Sequence, residues 1–255
     1  MKKHTIIDKE KCIGCGQCAA DCVAQCISLK DGKAEVNEPL CIGCGHCYAI
    51  CPKDAVTLTG WGEVPETPAA EPVKPEALMG LMKRRRSTRQ FQDKPVPQEI
   101  IDQLLEAARY CPTAENHQVV EYLILDEKKA QAEAMAVEGL RKMKKALEKV
   151  VPALVAQDID DHFFFKGAPL VILVTNKADM DNGLAASYIE LMANSLGLGV
   201  LYSGFFRVAA KINPRLRKLL KIRRGYHLTA CMVIGYPKVQ YQRIPPRLPV
   251  KVDRR

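Results

Sequence analysis

Several things are missing from this 255-residue chain, and each absence removes a class of protein. Its apolar stretches, of which Leu170–Thr175 is typical, fall far short of the roughly 20 residues needed to span a bilayer. The start, Met1-Lys2-Lys3-His4, runs into acidic residues and cysteines rather than an apolar run, so no secretory signal is legible. A soluble, cytoplasmic protein without membrane contact is expected. There is no Ser/His/Asp triad and no paired acid–base arrangement, so hydrolytic chemistry of that kind is not indicated. Nor does any G-x-G-x-x-G follow a strand pattern, which excludes a separate dinucleotide-binding domain.

What is abundant is cysteine, and it is unevenly placed: nine of the eleven lie between residues 12 and 51. They spell one pattern twice, as Cys12-x2-Cys15-x2-Cys18-x3-Cys22 and Cys41-x2-Cys44-x2-Cys47-x3-Cys51-Pro52. Disulfide frameworks and C-x2-C zinc pairs fit this spacing poorly. Thiolates so spaced wrap cubane iron–sulfur clusters, with the tight loop supplying three corners and the fourth cysteine serving the other cluster. A shift of 29 residues lays the first run on the second and puts Cys26 over Ala55. Cys26 therefore reads as a small buried side chain. Cluster one is assigned to Cys12, Cys15, Cys18 and Cys51, and cluster two to Cys41, Cys44, Cys47 and Cys22. Residues 4–60 resemble bacterial two-cluster ferredoxins, departing from them at Val23, where proline usually follows the fourth cysteine.

The formal charge of +9 raises nucleic acid as a partner. Residues 1–60, however, carry seven lysines against seven acids, so the whole excess lies beyond them. Anionic clusters would make the first region negative and its neighbour positive, an asymmetry suited to fused electron-transfer partners. No nucleic-acid role is expected.

Residues 60–77 contain four prolines at spacings of three or four, which reads as an extended linker reaching about 50 Å at ~3.1 Å per residue. The division expected is 1–60 for the cluster domain, 61–76 for the linker and 77–255 for a second domain. Within the latter, helices are expected over Ala77–Arg85, Pro97–Arg109, Lys128–Val150, Gly183–Leu196 and Pro214–Leu220. Strands are expected over Tyr122–Leu125, Pro169–Thr175 and Leu228–Gly235, giving an α+β fold with a mixed central sheet flanked by helices.

A second candidate site opens with Lys83-Arg84-Arg85-Arg86-Ser87-Thr88-Arg89-Gln90-Phe91, whose guanidinium forks and hydroxyls suit a phosphate dianion. Alone, such a run reads more often as solvated surface. Four segments appear together, however: Arg85-Arg86-Ser87-x-Arg89-x-Phe91, Cys111-Pro112-Thr113-Ala114-Glu115-Asn116-His117-Gln118, Gly197-Leu198-Gly199 with Ser203-Gly204, and Ile234-Gly235-Tyr236-Pro237 with Arg247-Leu248-Pro249. In that order they resemble the FMN-binding nitroreductase family over residues 77–250. The resemblance implies that Arg85, Arg86, Ser87 and Arg247 hold the FMN phosphate, with Arg89 at the N1–O2 edge of the ring. Pro112, Thr113, Ala114 and Asn116 would line the ring or ribityl chain, and Ser203 and Gly204 would offer backbone N–H groups near N5. Thr113 replaces a serine and Cys111 an alanine. Cys111 and Cys231 read as core, His117 as a loop residue, and Tyr202 with Phe163–Phe165 as packing or pocket wall.

No protein side chain is expected to be catalytic, since the flavin carries the chemistry at N5. The expectation is a homodimeric oxidoreductase passing electrons between two [4Fe-4S] clusters and FMN. It would reduce a nitroaromatic, quinone or enone acceptor with NAD(P)H or reduced ferredoxin as donor. The alternative is a non-catalytic electron-transfer or redox-sensing module.

Overall fold

The computed structural model describes residues 4–62, 65, 71–147 and 158–255. Residues 63, 64 and 66–70 of the expected linker, and the last three residues of the helix expected to end at Val150, lie outside the described residues. The chain divides into two compact units, Met1–Glu71 with Thr113–His117, and Pro72–Pro112 with Gln118–Arg255.

In the first unit the cysteine repeat extends to the whole architecture. Strand β1 (His4–Ile7), helix α1 (Gln17–Ala20) and strand β2 (Ile27–Lys30) recur 29 residues later as β3 (Lys33–Val36), α2 (His46–Ile50, one residue longer) and β4 (Val56–Thr59). The strands pair across the repeat, not within it. β1 runs antiparallel to β4, with Ile7 opposite Val56, and β2 runs antiparallel to β3, with Ile27 opposite Val36. Each two-stranded sheet thus ties one half to the other, and Cys22 and Cys51, which end the two cysteine runs, each face the other half's loop. Both helices start at a left-handed glycine, Gly16 (φ 76°) and Gly45 (φ 81°). Gly14 is equally obligatory: at φ +67° a Cβ would lie 2.0 Å from the carbonyl oxygen of Gly32. The core is small, comprising Cys12, Cys26, Ile27, Ala34, Cys47, Ala55 and Val56.

The second unit is built on a four-stranded sheet in the order β5 (Glu121–Ile124), β6 (Leu170–Asn176), β8 (His227–Gly235), β7 (Gly199–Tyr202). All three strand pairings are antiparallel. The mixed character expected from sequence enters through one isolated parallel bridge between Ser87 and Val200. Among the described residues the unit also has helices α3 (Pro75–Arg84), α4 (Gln98–Arg109), α5 (Lys129–Leu147), α6 (Asp179–Ser195), α7 (Gly204–Ile212) and α8 (Pro214–Leu219).

All seven residues of β6 are buried, so its apolar run follows from covering on both faces rather than from alternation. Val171 and Leu173 join Cys231, Val233, Val137, Phe164, Phe165 and Phe206 on one side. Leu170, Ile172 and Val174 join Met232, Ile234, Leu104, Ala108, Ala185, Ala186 and Ile189 on the other. The alanines of α6 allow α4 to approach closely. Helix α6 begins four residues before the expected Gly183, because Asp179 and Asp181 in its first turn favour the positive end of the helix dipole. The short strand β7 and helix α7 are additional to the elements expected from sequence.

Candidate functional site

The first unit contains two small enclosed cavities. One is lined by Cys12, Cys15, Cys18 and Cys51 among Ile7, Leu29, Ala34 and Val56. The other is lined by Cys22, Cys41, Cys44 and Cys47, with Cys18 and Cys26 also in its wall. Each four-cysteine set expected from spacing therefore faces one cavity. Among the described residues no group of three or more His, Cys, Asp or Glu closes up to hold a single metal ion; a cubane spreads its thiolates over four corners.

Backbone N–H groups already point at several sulfurs: Ala34 to Cys12 Sγ (3.4 Å), Ala55 to Cys51 Sγ (3.3 Å) and Gly43 to Cys41 Sγ (3.4 Å). The Ala34 N–H, helped by that of Gly14, holds the Cys12 thiol below its ordinary range, whereas burial pushes Cys47 up to about 11. Cys26 Sγ lies 3.4 Å from Cys22 Sγ, a proximity that spacing alone did not disclose. Asn116, expected beside the flavin, belongs with this unit, and its Nδ2 donates to the carbonyl oxygens of Gly43 (3.4 Å) and Cys44 (3.3 Å). Thr113 and Ala114 go with it, as does His117, 3.5 Å from Glu115.

In the second unit the arginine segment lies along β7. Ser87 bridges Val200, the Thr88 N–H donates to the Val200 carbonyl (3.0 Å), and Phe91 bridges Pro237. Gly199 makes this possible, since a Cβ there would sit 2.1 Å from Thr88 Oγ1. Tyr241 donates its hydroxyl to the Ser87 carbonyl oxygen (3.1 Å). Arg85 pairs with Glu190 of α6 (3.1 Å), and the Tyr202 hydroxyl, which donates to the Ala186 carbonyl oxygen (3.0 Å), stands 3.5 Å from the same carboxylate. Burial raises the Glu190 carboxyl, against the pull of Arg85, and burial likewise raises Tyr202. Arg86 donates Nη1 to the Arg85 carbonyl oxygen, but its Nε and Nη2 are buried with no partner among the described residues. Two orphaned charge-bearing donors are costly unless an anion meets them.

A cavity of about 750 Å³ brings Arg89 together with Tyr202, Ser203, Gly204, Phe163, Phe164 and Phe205. That size and mixture suit a planar organic ligand. Of the expected flavin residues, Arg89, Ser203 and Gly204 meet here, and Arg85, Arg86 and Ser87 precede Arg89 on the same pinned segment. Pro112 is exposed, and Arg247 is exposed in the C-terminal tail; neither lines the cavity. Glu190 and Tyr202 as partners of Arg85 escaped the sequence reading.

Solved structures share the fold of the larger unit. An FMN-dependent nitroreductase from Clostridium difficile R20291 superposes with TM-score 0.57 at 19% identity, covering 71% of this chain and all of that one (100%). Nitroreductases with bound FMN from Desulfitobacterium hafniense DCB-2 (TM-score 0.53, 21% identity, 68% and 94% covered) and Bacteroides fragilis NCTC 9343 (0.51, 18%, 69% and 98%) behave alike. Residues 82–236 match the nitroreductase family and residues 5–58 match a 4Fe-4S dicluster domain. The chain belongs to the nitroreductase family and carries an N-terminal iron–sulfur domain. A relative from Methanothermobacter thermautotrophicus, described as an NADH dehydrogenase/NAD(P)H nitroreductase, is 27% identical over 171 residues, covering 63% of this chain and 77% of the relative.

Proposed function

We propose that this oxidoreductase passes electrons between two [4Fe-4S] clusters and FMN to reduce an electron-poor organic acceptor of nitroaromatic, quinone or enone type. The clusters sit on Cys12, Cys15, Cys18 and Cys51 and on Cys41, Cys44, Cys47 and Cys22. FMN, when bound, exchanges electrons singly or in pairs, matching one-electron clusters to two-electron acceptors. The observation that carries the reading is the pair of buried Arg86 donors, Nε and Nη2, that meet no partner among the described residues, on the same segment that brings Arg89 to the Ser203–Gly204 cavity.

Arg85, Arg86, Ser87 and Arg247 take the phosphate, Arg89 the polar ring edge, and Ser203 and Gly204 offer N–H groups. Pro112 does not line this cavity, and Thr113, Ala114 and Asn116 belong with the cluster unit, so no ring contact is assigned to them. Phe163, Phe205 and Tyr202 give a flat acceptor apolar surface and limit the entry of water. NAD(P)H or reduced ferredoxin is the donor. The working form is a homodimer. Exposed apolar stripes support it, at Leu78, Met79 and Met82 on α3, at Phe205, Val208 and Ile212 on α7, and at Leu248, Val250 and Val252 in the tail. No helix among the described residues is long and apolar enough to cross a membrane, which accords with a cytoplasmic site of action.

Anaerobic rapid mixing tests the reading. Addition of NAD(P)H or reduced ferredoxin bleaches flavin absorption, and a nitroaromatic or quinone restores it. Arg86→Ala weakens FMN binding about 10–100-fold, the cost of losing hydrogen bonds to a charged group. Full loading of both cofactors without turnover toward any such donor and acceptor would leave only an electron-carrier role.

A further inference from the structure

The 29-residue repeat makes the cluster unit almost two-fold symmetric, so the places where the halves differ can be read one by one. Position 5 corresponds to 34 and position 26 to 55, just as Cys12 corresponds to Cys41 and Cys22 to Cys51. The structure obeys this correspondence at the sulfurs. Thr5 lies beside Cys41, with Oγ1 to Sγ 3.6 Å, and its counterpart Ala34 lies beside Cys12, with N to Sγ 3.4 Å. Cys26 lies 3.4 Å from Cys22, and its counterpart Ala55 lies 3.3 Å from Cys51 through its backbone N–H.

At both positions the cluster-one side has an alanine, while the cluster-two side has a side chain with an O–H or S–H that can donate a hydrogen bond. Thr5 and Cys26 are both buried, at 6% and 4% exposure, so water does not compete for these contacts. If Cys22 and Cys41 are ligand thiolates they carry no proton, and the hydrogen in each contact comes from the Thr5 hydroxyl or the Cys26 thiol.

We infer that Thr5 and Cys26 are tuning residues that donate hydrogen bonds to the ligand sulfurs of cluster two alone, raising its reduction potential and breaking the equivalence of the duplicated halves. Hydrogen bonds to cluster sulfurs offset the negative charge gained on reduction and so favour the reduced state. Cys26 touches the ligand set without belonging to it. The inference rests on the proposed two-cluster reading.

The test uses anaerobic full-length protein, with iron and acid-labile sulfide counted per chain and the clusters titrated electrochemically under electron paramagnetic resonance. The wild-type titration contains two waves. Thr5→Ala and Cys26→Ala each move the same wave to more negative potential, cutting its reduced fraction several-fold at the wild-type midpoint, and the double variant moves it further. Ala55→Cys moves the other wave the opposite way. Thr5→Ser, which keeps the hydroxyl, restores the wild-type position and separates hydrogen bonding from packing. Unmoved waves, or equal movement of both, would overturn the inference while leaving the clusters in place. Loss of half the iron from Cys26→Ala would make Cys26 a ligand instead. Wild-type protein that takes up no clusters on anaerobic reconstitution would sink the two-cluster reading itself, a result distinct from all of these.

Discussion

The two units reach a stable interior by opposite means. The larger one packs both faces of β6 and β8 with aliphatic and aromatic side chains, several of them with no exposed surface at all. The smaller one has seven buried core residues, three of them cysteines and two alanines. A core of that size does not hold so short a chain unaided. The cysteine unit therefore depends on what its sulfurs bind, whereas the flavin unit has a fold first and a cavity second. A single chain can thus carry one cofactor as scaffold and another as guest.

The sharpest way to break this contrast is to remove the iron. Chelation under anaerobic conditions should strip amide-exchange protection from β1 to β4, because metal binding there is folding free energy. The protection of β6 and β8 should persist in the same sample. Retained protection across residues 4–59 after complete iron loss would show that the small core stands by itself.

A smaller effect runs in the other direction. Gly199→Ala places a methyl group against Thr88, 2.1 Å from Oγ1 and 2.7 Å from Cβ, so the arginine segment must lift from β7. Overpacking of this kind costs about 1–3 kcal/mol, read as a lower denaturation midpoint for the larger unit. FMN content should fall while iron per chain stays constant. If iron and flavin were lost together, the division into scaffold and guest would be wrong.

The same contrast governs what could be read from sequence. The cysteine unit was legible because its chemistry is local: ligands three residues apart, glycines between them, and a repeat that aligns every element. In the larger unit β6 and β8 announced themselves as continuous apolar runs. The strand Gly199–Tyr202 and the helix starting at Gly204 did not, being too short and glycine-punctuated to show a period. The Arg85–Glu190 pair joins residues 105 positions apart, and nothing near either one signals the other. Cys26 fell between these cases: its register was readable, but its approach to Cys22 depends on the local turn that joins them, closed by the Gln25 N–H donating to the Cys22 carbonyl oxygen.

Glu190 provides the finest probe of the flavin unit as a self-sufficient fold. Its carboxyl is raised above the ordinary carboxylate value, principally by burial, with Arg85 and Tyr202 opposing. An acid raised in the folded state keeps its proton after the unfolded chain has released it. Stability is unaffected below the unfolded pKa, falls as pH climbs from there towards the folded value, and is level again above it. Glu190→Gln keeps an acceptor for Arg85 but has no proton to lose, so its share of that decline disappears and the stability profile flattens over the same window. Glu133, also raised mainly by burial, retains its own contribution, so the slope is reduced rather than abolished. A variant profile parallel to wild type across that window would mean that the Glu190 carboxyl titrates normally and that Arg85, not burial, sets its state.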